Sequence, residues 1–208
     1  AINTYGNLVV SNSTFSFNTA NTRAGGIYVT KSHIDIEHVT FDEGYENTSS
    51  AIYVAADGTG TVLNSLIAGR CGGDSLVTLG GNIEVIGNTC DLTEPTDQSG
   101  VSLTAVNLQT LKSNGGKTLT QLPGIDSIAL DRGVGLGCLF DDQRGVLRPQ
   151  DFDGLNGAEC DVGAVELLPC PHDAALKLDD TINWVTPTFE ACERIEAGSG
   201  FAITDLGS

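Results

Sequence analysis

The residues best suited to chemistry crowd into one stretch, LFDDQRGVLRPQDFDGLNGAECDVGAVE, residues 139–166. Two acid pairs stand out, Asp141 with Asp142 and Asp151 with Asp153. Paired carboxylates can act as acid and base on a glycosidic bond, and a polysaccharide lyase would add a basic residue near calcium. Carboxylates adjacent on a strand, however, point to opposite faces, and no His or Lys base lies nearby in the sequence. A second chemistry is cation binding. Asp151, Asp153, Asn156 and Glu159 offer oxygen ligands around flexible glycines, so calcium is the cofactor the stretch suggests. The spacing is not that of an EF-hand, a polar turn is the simpler reading, and no cofactor is required.

Of the three histidines, His33 and His38 fall in strand-like sequence and His172 near the end. A turn or surface position is the favoured reading of the first two, ahead of a metal or catalytic role. None has zinc spacing, and the six cysteines contain no CxxC, so a zinc site is not indicated. An even count without metal spacing points to disulfides and an oxidising compartment. Sequential pairing, 71–90, 138–160 and 170–192, is preferred. Each bridge then closes a local loop of about 20 residues, worth roughly 3 kcal/mol.

These residues must be held by strands. Gly is abundant (26 of 208), Met is absent and Trp occurs once, with Thr, Asn, Ser, Val and Ile prominent. That mix favours strands and tight turns. Ten Lys+Arg against 27 Asp+Glu give a net charge of −17. Nucleic-acid partners and anionic membrane surfaces are disfavoured, because phosphate binding needs basic residues. No apolar run reaches the roughly 18 residues of a membrane span, and no signal peptide is visible.

The first third repeats. Val10, Ile36 and Val62 recur at a step of 26, as do Phe15, Phe41 and Ile67, and Asn12, His38 and Asn64. Ile27-Tyr28 returns as Ile52-Tyr53. Short strand-like runs alternate with Asn/Thr/Gly/Ser turns. This pattern predicts a parallel β-solenoid, one coil per period, with equivalent side chains stacked about 4.8 Å apart. A β-sandwich with fortuitous spacing is the competing fold. In each Ile-Tyr pair one side chain faces in and one out. Outward tyrosines would suit sugar stacking, and the sequence leaves the choice open. Asn12 and Asn47 lie in glycan-acceptor patterns.

The later segments follow an ordered set of motifs: Gly80-Gly81-Asn82, Asn114-Gly115-Gly116-Lys117-Thr118, Asp131-Arg132-Gly133, Asp142-Gln143-Arg144-Gly145 with Arg148-Pro149, and Asp161-Val162-Gly163-Ala164-Val165-Glu166. This order resembles the choice-of-anchor Q domain family, secreted bacterial proteins with a right-handed parallel β-helix, over residues 1–168. One departure is Ser127-Ile128-Ala129, where the family often has Ser-Pro-Ala. The resemblance implies that residues 139–166 close the C-terminal part of a β-helix domain. Arg144 and Arg148 would offer forked donors to carboxylates such as Asp142 or Asp161. After a linker at Leu167–Pro171, Ala191-Cys192 with Ile195, Ala197 and Gly198 resembles the opening coil of a second repeat type. Both ends of the chain read as interrupted coils.

The expected fold is therefore all-β. Parallel β-helix coils occupy 1–92, a loop-rich, disulfide-linked C-terminal part of that domain occupies 93–168, and a strand-containing extension occupies 169–208. The expected function is non-catalytic and extracellular: a scaffold, adhesin or filament subunit at a bacterial cell surface. Its partner would be itself, end to end or by strand exchange, or a cell-surface or matrix carbohydrate. The alternative is a polysaccharide lyase, hydrolase-like or carbohydrate-binding β-helix. For catalysis the basic support is thin, because Arg23 and Lys31 are the basic residues of the first two coils.

Overall fold

The step of 26 that organises the sequence also sets the strand register. In a computed structural model, residues 2–43, 50–74, 76–85, 87–152 and 158–169 are described. Their strands are β1 (Ile2–Thr4), β2 (Leu8–Ser16), β3 (Ala24–Val29), β4 (His33–Asp42), β5 (Ser50–Val54), β6 (Thr59–Leu63), β7 (Leu66–Ala68), β8 (Cys71–Gly73), β9 (Leu76–Thr78), β10 (Ile83–Val85) and β11 (Gln98–Val101). One short helix, α1 (Leu103–Val106), follows. All pairings between these strands are parallel.

Val10 pairs with Ile36 and Ile36 with Val62, while Phe15 pairs with Phe41 and Phe41 with Ile67. The expected ladders are therefore real rungs of adjacent strands. Two sheets result: β1-β3-β5-β8, and a larger one containing β2, β4, β6, β7, β9, β10 and β11. One of the sheets is curled into a half-barrel. The bend within β2 and β4 has a local cause. Asn12, His38 and Asn64 hold φ of 44°, 50° and 48°, the left-handed region that Asn tolerates best and His is enriched in. After the third turn the register step shortens, since Leu66 pairs with Ile83 and Ile83 with Gln98.

Side-chain alternation explains which faces are wet. Along β4, Ile34 and Ile36 are buried whereas His33, Asp35 and Glu37 are only partly so, the pattern of a strand with one solvated face. From His38 to Phe41 burial is continuous, because a second layer covers the outer side. Two cores follow. One lies between the two sheets and contains Ile27, Ile36, Phe41, Ile52, Val62 and Ile67. The other joins Leu66, Ala68, Ile83 and Val85 to Val106, Ala129 and Val162. The described part of the loop-rich stretch 93–168 thus packs on the flank of the larger sheet and adds β11 to it.

The end of the first core is closed by a different segment from the one expected. Cys90 and Leu92 are buried in that core, and Cys90 is bridged to Cys71 of β8. The carboxylate of Glu84, itself fully buried, accepts hydrogen bonds from the Thr89 and Cys90 backbone N–H groups at 2.8 and 3.0 Å. The disulfide loop is the plug, and the described residues of 139–166 clasp the side.

Residues 1–169 form one compact unit. The extension read over 169–208, Pro169 apart, and the pairing of Cys170 with Cys192 lie outside the described residues. The Cys71–Cys90 and Cys138–Cys160 bridges are both present, with sequence separations of 19 and 22. Among the described residues no helix is long and apolar enough to cross a membrane.

Candidate functional site

The acid-rich stretch folds into a buried ionic clasp. Asp142 Oδ1 accepts from the backbone N–H of Arg144 (2.7 Å) and Val146 (3.0 Å). Its Oδ2 accepts from Arg144 Nε and from the Glu166 N–H, both at 2.9 Å. Arg144 also donates to the Glu166 carbonyl. Arg148 Nη1 lies 2.6 Å from Glu166 Oε2, with both side chains excluded from solvent. Arg148 further donates to the carbonyls of Asp161 (3.0 Å) and Gly163 (2.8 Å). Asp161 in turn accepts from the N–H groups of Asp131 (2.9 Å) and Leu167 (2.6 Å). Arg144 therefore takes the expected Asp142 carboxylate. Arg148 takes Glu166, and meets Asp161 only through its main chain.

Burial sets the electrostatics of this clasp. It pushes the Asp161 carboxyl well above the usual carboxylate range, and the negative charge of Glu166 adds to the effect. Burial also raises Glu166, against the opposing pull of Arg148. Charges this deep are tolerable only when paired and hydrogen-bonded. The Arg148–Glu166 pair meets that condition through its Nη1 and Nη2 contacts, with Arg148 Nε left without a partner, while the Asp161 carboxyl is held by backbone N–H groups.

The clasp grips the sheet through polar side chains of the bend. Asn12 Nδ2 donates to the Asp141 carbonyl at 2.7 Å, and Thr14 Oγ1 to Gln143 Oε1 at 2.6 Å. The Ala164 N–H donates to Thr40 Oγ1 at 2.9 Å. Beside them, Asn64 Oδ1 accepts from the Val134 N–H at 2.7 Å. His38 Nε2 is 3.1 Å from the Gly137 carbonyl. His38 is fully buried with no partner at Nδ1. Desolvation, then the Arg148 charge, lowers its pKa from 6.5 to about 3. It sits at a turn as expected, but in the interior and uncharged. His33 is a partly exposed strand residue, 3.0 Å from Asp35 and 2.7 Å from Thr59.

The catalytic-pair reading finds little to work with. Asp142 is 4% exposed and its oxygens are occupied by donors. Asp141 bridges to Leu147 in a local antiparallel pair. Of the calcium quartet, Asp151 and Glu159 are described, whereas Asp153 and Asn156 lie outside the described residues. Asp151 Oδ1 is buried without a hydrogen-bond partner, and Glu159 is exposed. Among the described residues the one group of ligand-type atoms close enough for a metal is His38, Cys138 and Cys160. Both of its sulfurs are bonded to each other, so it has no thiolate to offer.

A second face carries an aromatic pair beside a guanidinium. Ile27 and Ile52 are fully buried, so Tyr28 and Tyr53 point outward. Their rings lie 5.6 Å apart. The Arg23 guanidinium sits 5.2 Å from one ring centre and 5.7 Å from the other, and Arg23 donates to the Tyr28 hydroxyl. Arg23 and Tyr28, with Ile2, Asn3, Thr22 and Ala24, line a shallow cavity of about 390 Å³. Gly72 follows Tyr53 in the same rung. A Cβ there would fall 2.9 Å from the Tyr53 ring, so glycine leaves room for it. A larger groove of about 740 Å³ is lined by Asp97, Asp126, Asp131, Arg132 and Phe152, among others. Asp97 is committed to the backbone N–H groups of Asn82 and Glu94.

The buried roles of Glu84 and Glu166 escaped the sequence reading. The signal for Glu84 is an acid inside the apolar run Ile83-Glu84-Val85, which demands a buried donor set. Comparison with protein-family models gives no match, and comparisons with curated proteins and with solved structures give none either. The likeness to the choice-of-anchor Q domain rests on its motifs alone.

Proposed function

We propose that this chain is a non-catalytic, extracellular structural protein: a short right-handed parallel β-helix of the choice-of-anchor Q kind, serving as a rigid scaffold at a bacterial cell surface. One observation carries the reading. Asp142, the candidate catalytic acid whose surroundings are fully described, is bound to Arg144 and backbone N–H groups within the clasp, beside Asp161 and Glu166, which are bound to backbone N–H groups and Arg148. Parallel rungs at a repeated step support the β-helix, and the two disulfides support an oxidising location. The test is incubation of the disulfide-intact protein with pectate, alginate, hyaluronan and chitin, following new reducing ends and unsaturated uronate absorbance. The scaffold reading expects neither signal. Product formed by wild type and lost in a folded Asp142→Asn or Asp131→Asn variant would overturn it.

A carbohydrate-binding role is the second reading, favoured by the outward Tyr28–Tyr53 pair under Arg23. Aromatic faces and a guanidinium suit sugar rings. Slowed migration in glycan-containing native gels, abolished by Tyr28→Ala, would establish it.

A further inference from the structure

Beside the clasp, the Cys138–Cys160 bridge lies against a histidine. His38 Nε2 is 3.7 Å from Cys160 Sγ. The ligand-type atoms of His38, Cys138 and Cys160 all fall within 4.8 Å of one another. His38 and Cys160 are fully buried, and Cys138 is partly exposed. In a tetrahedral zinc site, bonds of about 2.3 Å to sulfur and about 2.0 Å to nitrogen put those two ligands roughly 3.5 Å apart. The spacing of His38 and Cys160 is therefore already close to that of two ligands on one ion. Two thiolates and an imidazole suit zinc, and three protein ligands leave one position open. The exposed side of Cys138 gives an ion its way in.

The bridge is not the only tie between these groups. The Cys160 carbonyl accepts from the Gly133 N–H at 2.7 Å, and the Cys138 N–H donates to the Gly135 carbonyl at 3.3 Å. Asn64 holds the turn before Cys138. Its Oδ1 accepts from the Val134 N–H at 2.7 Å, and its Nδ2 donates to the carbonyls of Val134 (3.3 Å) and Gly137 (3.2 Å). None of these bonds uses a sulfur, so they keep both cysteines beside the imidazole when the S–S bond is open. Asn64 Nδ2 also lies 3.2 Å from His38 Nε2 and 3.9 Å from Cys160 Sγ. With two carbonyls as acceptors, it can yield Nε2 to an ion and still point at the sulfur. Such outer contacts steady metal ligands.

We propose that the dithiol form of this chain holds one divalent ion of the zinc type on Cys138, Cys160 and His38, and that closing the bridge expels it. Every chain starts with reduced cysteines, so the dithiol precedes the disulfide in any compartment. Binding releases one proton from each thiol to solvent. The ion, two thiolates and a neutral imidazole then sum to zero charge, which suits a buried place where a net charge is costly. Bridge closure proceeds by exchange with a disulfide oxidant. The oxidant takes two electrons from the cysteine sulfurs and two protons from solvent and leaves as two thiols. The ion departs still divalent. The bridge and the ion are thus alternatives at one place. The site goes beyond the scaffold reading and stands without it.

The test is a cobalt(II) titration of the 208-residue protein reduced by a water-soluble phosphine, which takes an oxygen from water as each bridge yields two thiols. Thiolate-to-cobalt absorption counts the ions bound through sulfur. Three variants accompany wild type: Cys138→Ser with Cys160→Ser, His38→Asn, and His33→Asn as the control. The thiols of Cys71, Cys90, Cys170 and Cys192 are common to all four proteins. Wild type and His33→Asn are expected to bind one ion more than the double cysteine variant. His38→Asn weakens that ion by about a hundredfold or more, at least the loss that removal of an outer partner can cause. In wild type, zinc also slows re-formation of the 138–160 bridge under a disulfide oxidant more than that of the 71–90 bridge, read by peptide mapping. These rates decide the matter where a variant fails to fold. Equal ion counts in wild type and the double variant would overturn the proposal, as would affinity indifferent to His38→Asn or re-formation rates indifferent to zinc. So would a reduced chain whose circular dichroism is lost and not restored by zinc, since the site needs the fold.

Discussion

Arg148 Nη1 and Glu166 Oε2 meet at 2.6 Å with neither side chain exposed to solvent. Glu166 also accepts from the backbone N–H of Asp161 at 3.0 Å and of Gln150 at 2.7 Å. One carboxylate thus ties an arginine to two loop segments. Such a pair contributes through the cost of breaking it rather than through the strength of making it.

Removal of one partner therefore costs more than removal of the charge from both. Arg148→Met leaves a buried, uncompensated carboxylate and is expected to destabilise the fold by about 3–5 kcal/mol. Arg148→Met combined with Glu166→Gln keeps the backbone acceptor but removes the stranded charge, and recovers part of that loss. Urea unfolding of both variants under oxidising conditions checks this. A double variant no more stable than the single one would show that the charge itself is not what the fold must neutralise.

His38 makes stability depend on pH with a definite sign. Its pKa is about 3 in the folded chain against an ordinary 6.5. Above pH 6.5 both states are neutral there and the contribution is fully present. As pH falls from 6.5 towards 3, the unfolded chain takes up a proton that the folded chain refuses. Stability then drops by about 1.4 kcal/mol per pH unit from this group. Asp161 and Glu166, raised in the fold, act with the opposite sign, so wild type alone gives a mixed curve. His38→Asn isolates the histidine, because Asn already occupies the matching bends at 12 and 64. The variant's unfolding free energy is expected to fall less steeply than wild type's between those pH values, and parallel curves would contradict the assignment.

The plug at the far end predicts a separate loss. Cys71→Ala with Cys90→Ala opens a loop with a sequence separation of 19, which costs about 3 kcal/mol in loop-closure entropy. Cys90 is also 2% exposed in the core, so hydrogen exchange should accelerate first in β8 and β9 and only later in β2. Uniform acceleration across all strands would argue against a local plug.

How much of this was legible in the sequence follows from the range of each contact. The ladders of Val10, Ile36 and Val62 were legible because strand pairing repeats a fixed step. The bridges Cys71–Cys90 and Cys138–Cys160 were legible because both are local. The flank packing was not, since Asn12 meets Asp141 across 129 positions and no periodic pattern encodes that contact. Arg148 was expected to meet a carboxylate such as Asp142 or Asp161, and that its partner is Glu166 was not legible, because which acid folds back onto an arginine cannot be seen in one dimension. The inward isoleucines and outward tyrosines of β3 and β5 needed the second core wall to decide which side was inside.

The central claim is that the acids of residues 139–166 hold the fold together instead of acting on a substrate. Asp142→Asn tests it most directly, with urea unfolding and polysaccharide cleavage measured on the same preparations. The account predicts a loss of roughly 1–3 kcal/mol, the range for weakening hydrogen bonds to a buried charged group, and no cleavage by either protein. Unchanged stability, together with wild-type cleavage that the variant lacks, would contradict it.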